Sequence, residues 1–565
     1  MGIRKRKLLV IAGVLTVIGL LLASCGPAAQ EPTTGGPTTG GPTTGGPTTG
    51  GPTTGGPTTT TPPVPKEGAG ILRYAMADMA FRNAMDPVGT MNINGGFQVM
   101  QIWDSLLNGD ATGNYLPALA TSWTIADNWS YYEFTIRQGV KFSNGDPVTA
   151  KDIKFSLDLY RAKNSLNSYA PELREYVKDT TVVDDYHVRV YLNMPYPGLI
   201  DRCPLRLGIM PMDYYNKVGF EGFCAKPIGA GPFKVVDFKQ DQWLNLEAVP
   251  NHYFNTPYIK GVHIVYVKEP ATRMAMLKTG EVDMKTVTPE FVLDLNADPN
   301  LRKVVSTYFS GTSLVWLDLA DVYKNEPSPW KDIRMRQACS YAIDRKTMCD
   351  KIFNGAYTPM GHFLAPYNLG YDPSLDTQYP PPPYDPVKAK QLMAEAGYPN
   401  GVDVNYPCSP ENRYFAEAIC AYLNDVGIRA KIQMFDAGTL SRETYAVASS
   451  AGKLHGILTR GSPSWYGIRH VGVACTAMMG GGSASSYGVV NPAVKAAIEA
   501  SFPLTSEQDL KVAGKKINDL ELSGHWSAPL WVNNTIFGIG PRVAEFTPVK
   551  GRSNAWRLDL IKLTD

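Results

Sequence analysis

Five consecutive copies of PTTGG, from Pro32 to Gly56, rule out one continuous folded body for this chain. Glycine and threonine offer no apolar face to bury, and a proline in every repeat interrupts any helix or central strand. The run continues as PTTTTPPVP and closes at Pro65. A Gly-rich coil of about 40 residues has an r.m.s. span of roughly 35 Å, stiffened here by its prolines. It reads as a tether between two unlike ends.

The end before the tether is a secretion signal. Arg4, Lys5, Arg6 and Lys7 precede a largely apolar run from Leu8 to Ile18 that continues through Leu20, Leu21 and Leu22. Charge stays on the cytoplasmic side while the apolar stretch enters the bilayer. Leu22, Ala23, Ser24 and Cys25 then resemble the bacterial lipobox, in which the cysteine is acylated and becomes the first residue of the mature protein. Residues 1–24 are thus expected to be a signal peptide, and 25–67 a lipidated cysteine with its disordered tether. Each buried CH₂ of an acyl chain contributes about 0.8 kcal/mol, so a multiply acylated Cys25 holds the chain at a membrane.

The end after the tether, about 500 residues from Lys66, is too long for one core and calls for two or three lobes. Without residues 1–24 the chain keeps 50 basic against 52 acidic residues, a net charge of −2. A near-neutral body argues against a nucleic-acid partner. After the signal, no eighteen-residue apolar run occurs. Seven cysteines follow Cys25, an odd number, without any CxxC. In an exported chain some are expected to pair. Cys203 with Cys224, flanking one loop-rich segment, is the first candidate disulfide, and Cys408 with Cys420 the second. Cys339 reads as core.

Local patterns predict a mixed α/β body. Tyr132, Phe134 and Ile136 alternate with Glu133, Thr135 and Arg137, a half-buried strand. Asn144 and Gly145 mark a turn. Thr149 with Asp152 forms a capping-box pattern before a helix carrying Ile153, Leu157 and Tyr160. Asp332 caps a second helix with a stripe of Met335, Ala338, Cys339, Ala342 and Ile343. Asp385, with Pro386 at the first helical position, opens a third helix that buries Ala389, Leu392, Met393 and Ala396 and stops at Gly397.

The order of these segments is more specific than any one of them. YYEFTIRQGVKFSNGDPVTAKDIKFS (Tyr131 to Ser156) resembles the signature of the family 5 extracellular solute-binding proteins, the dipeptide, oligopeptide and nickel class of ABC importers. GNYLPALATSW from Gly113, PIGAGPF from Pro227, DIRMRQACSYAIDR from Asp332 and YDPVKAKQLMAEAGYPNG from Tyr384 resemble further blocks of that family, in its order. The resemblance implies a type II, two-lobed periplasmic-binding-protein-like α/β fold with an extra subdomain in lobe I and two crossovers. Lobe I would comprise 68–112, 231–315 and 533–565, the inserted subdomain 113–230 and lobe II 316–532. The crossovers would fall near Ser313–Leu319 and Trp531–Asn534. It also implies a monomer that closes on a small-molecule or peptide ligand and presents it to ABC permease subunits with their ATPases, with no catalysis.

Arg137, Gly145 and Asp152 read as strand, turn and cap. The expected ligand contacts are Met91, Asn92 and Asn94, in a polar loop after the first strand, Trp316 near the first crossover, and Trp465 and Tyr466 of lobe II. Aromatic walls with a few amides suit a small organic solute or an extended backbone. One departure from the family is informative. Peptide binders of the family commonly place an acid in this lobe II segment, against the peptide's α-amino group, whereas Leu454 to Val490 contains no Asp or Glu and carries Arg460 and Arg469. A buried ammonium without a carboxylate is costly. The solute is therefore expected to be neutral or anionic, with Arg460 or Arg469 meeting a carboxylate, phosphate or sugar hydroxyl. No HxxxH or HExxH occurs, so neither a metal held by the protein alone nor a cofactor is expected, while a metal carried by an organic chelator stays open as a solute. Two other readings stay open: a tethered receptor of the same fold without transport, and a secreted hydrolase, for which no GxSxG nucleophile motif is present.

Overall fold

The computed structural model describes residues 70–79, 85–89, 93–109, 114–165, 167, 169–306, 310–319, 325–366, 368–436, 439–440, 443, 454–461, 469–479, 491–548 and 557–564. The expected signal, Cys25 and the tether lie outside them. The body opens with β1 (Ile71–Met76). The inserted part follows as β2 (Ala120–Ile125), β3 (Tyr131–Ile136), α1 (Ala150–Arg161), α2 (Ala170–Tyr176), β4 (Val177–Asp184), β5 (His187–Leu192) and α3 (Gly198–Arg206). Next come β6 (Phe233–Lys239), β7 (Trp243–Ala248), β8 (Gly261–Tyr266), β9 (Met284–Val287) and β10 (Arg302–Val305). The second lobe carries β11 (Ser310–Trp316), α4 (Ile333–Ala342), β12 (Tyr357–Pro359), α5 (Pro386–Glu395), β13 (Val402–Cys408), α6 (Arg413–Val426), β14 (Ile428–Met434) and β15 (Ile457–Gly461). Helices α7 (Val471–Met479), α8 (Pro492–Ser501) and α9 (Glu507–Gly524), then β16 (Ser527–Asn533) and β17 (Ile536–Ile539), lead toward the C-terminus.

Three sheets organise these elements. A seven-stranded mixed sheet has the order β10-β17-β9-β1-β8-β7-β6, with β1 parallel to both β8 and β9. The inserted strands form an antiparallel sheet β2-β3-β5-β4, and the second lobe is built on β12-β16-β11-β15. The chain therefore changes sheet between Val305 and Ser310 and returns between Asn533 and Ile536. The ends of the two connections are paired. Val305 is opposite Ile536 on one side of them, and Ser310 is opposite Asn533 on the other. The first crossover precedes the expected Ser313–Leu319, because the whole of β11 pairs with β15 on one flank and β16 on the other.

The local signals appear as physical devices. The backbone N–H of Thr149 donates to Asp152 at 2.8 Å, and Asp152 also accepts from the N–H of Met212 at 2.9 Å. Asp332 accepts from the N–H of Arg334, and Asp385 from that of Lys388. One core runs through the large sheet and the inserted subdomain and takes in Val471, Val473, Ile498, Phe502 and Leu510 of the α7–α9 region. A separate core fills the second lobe around Trp316, Trp330 and Trp531.

Two expectations need correction here. Cys203 and Cys224 are not bridged: all seven cysteines after Cys25 are free and buried, Cys408 and Cys420 included. They pack as small apolar groups, and burial pushes the Cys203 and Cys224 thiols up to about 12. Trp316 is core and does not line a cleft. At 1% exposure it stacks on Trp330 at 5.1 Å, and its indole N–H donates to the carbonyl of His525 at 2.9 Å. The pleat puts it on the same inward face as Leu314.

Candidate functional site

Of the expected ligand residues, Arg469 is the one whose side chain the structure describes at a boundary between lobes. Met91, Asn92, Trp465 and Tyr466 lie outside the described residues. Asn94 stands in the first turn of the helix Ile93–Ile102, and Arg460 lies on β15 opposite Ser313.

Arg469 and His470 immediately precede α7. Their backbone N–H groups donate to the carboxylate of Asp201, at 3.2 and 3.3 Å, and Asp201 belongs to α3 of the inserted subdomain. The first N–H groups of a helix have no partner within it, and an anion there is favoured by the helix dipole. Asp201, 2% exposed, thus serves the start of a helix that lies between the two crossovers in sequence. His470 adds a local cap, its Nδ1 accepting from the N–H of Gly472 at 3.1 Å. That role makes the imidazole neutral, and burial lowers its pKa to about 4.

The Arg469 guanidinium also crosses the boundary. Its Nη1 donates to the Asn114 side-chain oxygen at 2.8 Å, and its centre lies 5.9 Å from the Tyr115 ring centroid. Among the described residues no carboxylate pairs with it. It is partly exposed, so a cation with spare donors stands between a lobe I amide and ring and the α7 segment.

Beneath it the boundary is buried and charged. Arg202 on α3 binds Glu172 on α2 through two nitrogens, at 2.9 and 3.1 Å, both side chains being 1% exposed. Tyr196 donates to the same carboxylate at 2.7 Å. Thr476 of α7 donates to it as well, at 3.1 Å. Burial is the largest single influence on Arg202 and weakens its hold on its proton, but Glu172, together with Tyr169, Tyr196 and Asp201, outweighs it and raises the pKa. Asn114 fell within a recognised block of sequence. Asp201, Glu172 and Thr476 carried no sequence signal, because their partners lie some 270 to 300 residues away.

A cavity of about 420 Å³ lies elsewhere, between the Gly139–Gly145 turn and the Val249–Tyr253 segment. His252 at its wall is held by the Ala230 carbonyl at 2.9 Å and Asp104 at 3.2 Å. This cavity shares no lining residue with the Arg469 boundary.

The family model of bacterial extracellular solute-binding proteins, family 5 (middle part), matches residues 114–466, more than half of the chain. The chain belongs to this family. Family 5 proteins bind solutes and are not enzymes. Heme-binding protein A of Haemophilus influenzae is 30% identical over 341 residues, covering 55% of this chain and 60% of that protein. Glutathione-binding protein GsiB of Salmonella typhi is 30% identical over 337 residues, covering 58% and 62%. The matches thus span about three fifths of these relatives' length. Among solved structures, DppA from Helicobacter pylori in complex with the peptide STSA superposes with a TM-score of 0.76 at 22% identity, covering 87% of this chain and 98% of that one. OppA of Haemophilus influenzae in complex with RPPGFSPFR gives 0.73 at 18% identity, covering 87% and 99%. This family 5 chain accordingly has the two-lobed type II fold. Among the described residues, no helix is long and apolar enough to cross a membrane.

Proposed function

We propose that this family 5 protein is the solute receptor of an ABC importer, held by lipid on Cys25 at the outer face of the cell membrane and acting as a monomer. It captures a solute bearing an anionic group between its lobes and hands it to permease subunits driven by their ATPases. The observation that carries this reading is Arg469, a cation at the lobe boundary, braced by Asn114 and Tyr115, with no carboxylate partner among the described residues. Closing lobes desolvate such a guanidinium, and a bidentate carboxylate or phosphate then meets its free donors. Heme and glutathione, named for the two curated relatives, both bear carboxylates.

Native mass spectrometry of the protein as purified identifies a retained solute, and isothermal titration with glutathione and short peptides tests the charge preference. Masking the solute's carboxylates as amides is expected to weaken binding by about 10- to 100-fold, the worth of a hydrogen bond to a charged group. Arg469→Gln is expected to cost the same and to erase the difference between acid and amide. Tight binding that depends on a free α-amino group and ignores amidation would sink this reading.

A further inference from the structure

The inserted subdomain is covalently part of lobe I, and α7 and α8 lie in the stretch between the two crossovers, so contacts between them join parts that the hinge separates. These contacts fall into three kinds. Phe502, closing α8 and fully buried, sits edge-on against Tyr176 at 5.4 Å and Tyr196 at 5.9 Å, while those two rings stack on each other at 4.6 Å. At the edge of this aromatic socket, Lys495 of α8 bridges Glu175 of the subdomain at 2.5 Å and Glu499 of its own helix at 2.7 Å. Deeper in, Thr476 reaches the buried Glu172–Arg202 pair, and Asp201 holds the start of α7.

We infer that this seam is a closure latch supplied by the inserted subdomain, one that holds the lobes together whichever solute is carried. Each component has a distinct physical task. The ring of Phe502 leaves water on closing and supplies the non-directional attraction. The Lys495 bridge is partly exposed, 26% at the lysine, and sets register and approach. The Asp201 carboxylate satisfies two N–H groups that face water whenever the seam opens. The latch tilts the open–closed balance before any solute contributes, and a solute adds only its own preference for the closed form.

The backbone N–H groups of Arg469 and His470 make the idea measurable, because their acceptor belongs to the other lobe and they exchange with solvent as the seam opens. Hydrogen exchange on the full chain, without added solute, compares them with the amides of β11 and β16. In the native protein the two seam amides are expected to exchange faster than those strands. Lys495→Glu, which sets a third acid against Glu175 and Glu499, is expected to speed seam exchange at least tenfold while the strands stay unchanged. The double variant Glu175→Lys with Lys495→Glu restores an opposite-charge bridge and should return seam exchange to within about threefold of the native rate. Seam and strand amides that exchange together in every variant would overturn the latch, and so would a double variant no slower than Lys495→Glu alone.

Discussion

His470 has to be an acceptor to cap α7, so the folded protein binds it unprotonated. Its pKa falls to about 4 from an ordinary value near 6.5 because burial penalises the charged ring. Folding therefore excludes a proton that the unfolded chain takes up below about pH 6.5. The stability owed to this residue is complete above pH 6.5 and disappears as pH falls toward 4, a loss of roughly 3 kcal/mol across the window. His470→Asn keeps a cap acceptor without titrating, so its urea midpoint should fall less steeply between pH 6.5 and 4 than that of the native protein. The cysteines give a second prediction at this scale. Burial keeps the Cys203, Cys224, Cys408 and Cys420 thiols protonated, so alkylation at pH 8 should leave them unmodified in the folded protein. In denaturant without reductant all seven residues from Cys203 to Cys475 should react, and a mass shift short by two alkyl groups would reveal a bridge. Sequence reading failed at these cysteines and at Trp316 for one reason. Residue type says that a side chain is suited to pairing or to a wall, and only the fold says which way it points.

Elements were more legible wherever their cause is local. The alternation over Tyr131–Ile136, the Thr149–Asp152 cap and the Asp385–Pro386 helix start depend on neighbours a few residues apart, and each forms as read. The placement of β11 was not legible, since its two partners lie more than 140 residues downstream. Long-range joints of this kind make specific demands on stability. Asp283, just before β9 and 2% exposed, binds Arg73 of β1 at 2.6 Å and Arg542 beyond β17 at 2.9 Å. It ties β1 to the entry of β9 and to the segment beyond β17, which the sequence scatters over more than 450 positions. Asp283→Asn leaves two guanidinium groups sharing a neutral amide, and denaturant unfolding should show a loss of about 3 kcal/mol. An unchanged midpoint would mean that water replaces the clamp without penalty.

At the scale of the whole molecule, the two-lobed plan followed from the order of five motif blocks, while the way the subdomain and α7–α9 share a core did not, because apolar patterning does not name its partner. A solute that binds only the folded form adds stability by mass action, about 2.7 kcal/mol at one hundred times its Kd. Thermal midpoints with and without glutathione should separate accordingly if it is bound, and Arg469→Gln at the same concentration should lose most of the gain. The paired crossovers add a mechanical consequence. Two short connections that leave adjacent strands and enter adjacent strands define one axis for rotation and oppose shear along it. Lobe II should therefore swing like a door, with one dominant angle, and should not slide. Solutes of different length cannot then be met by shifting one jaw along the other; differences in size have to be absorbed by the loops and side chains between the jaws.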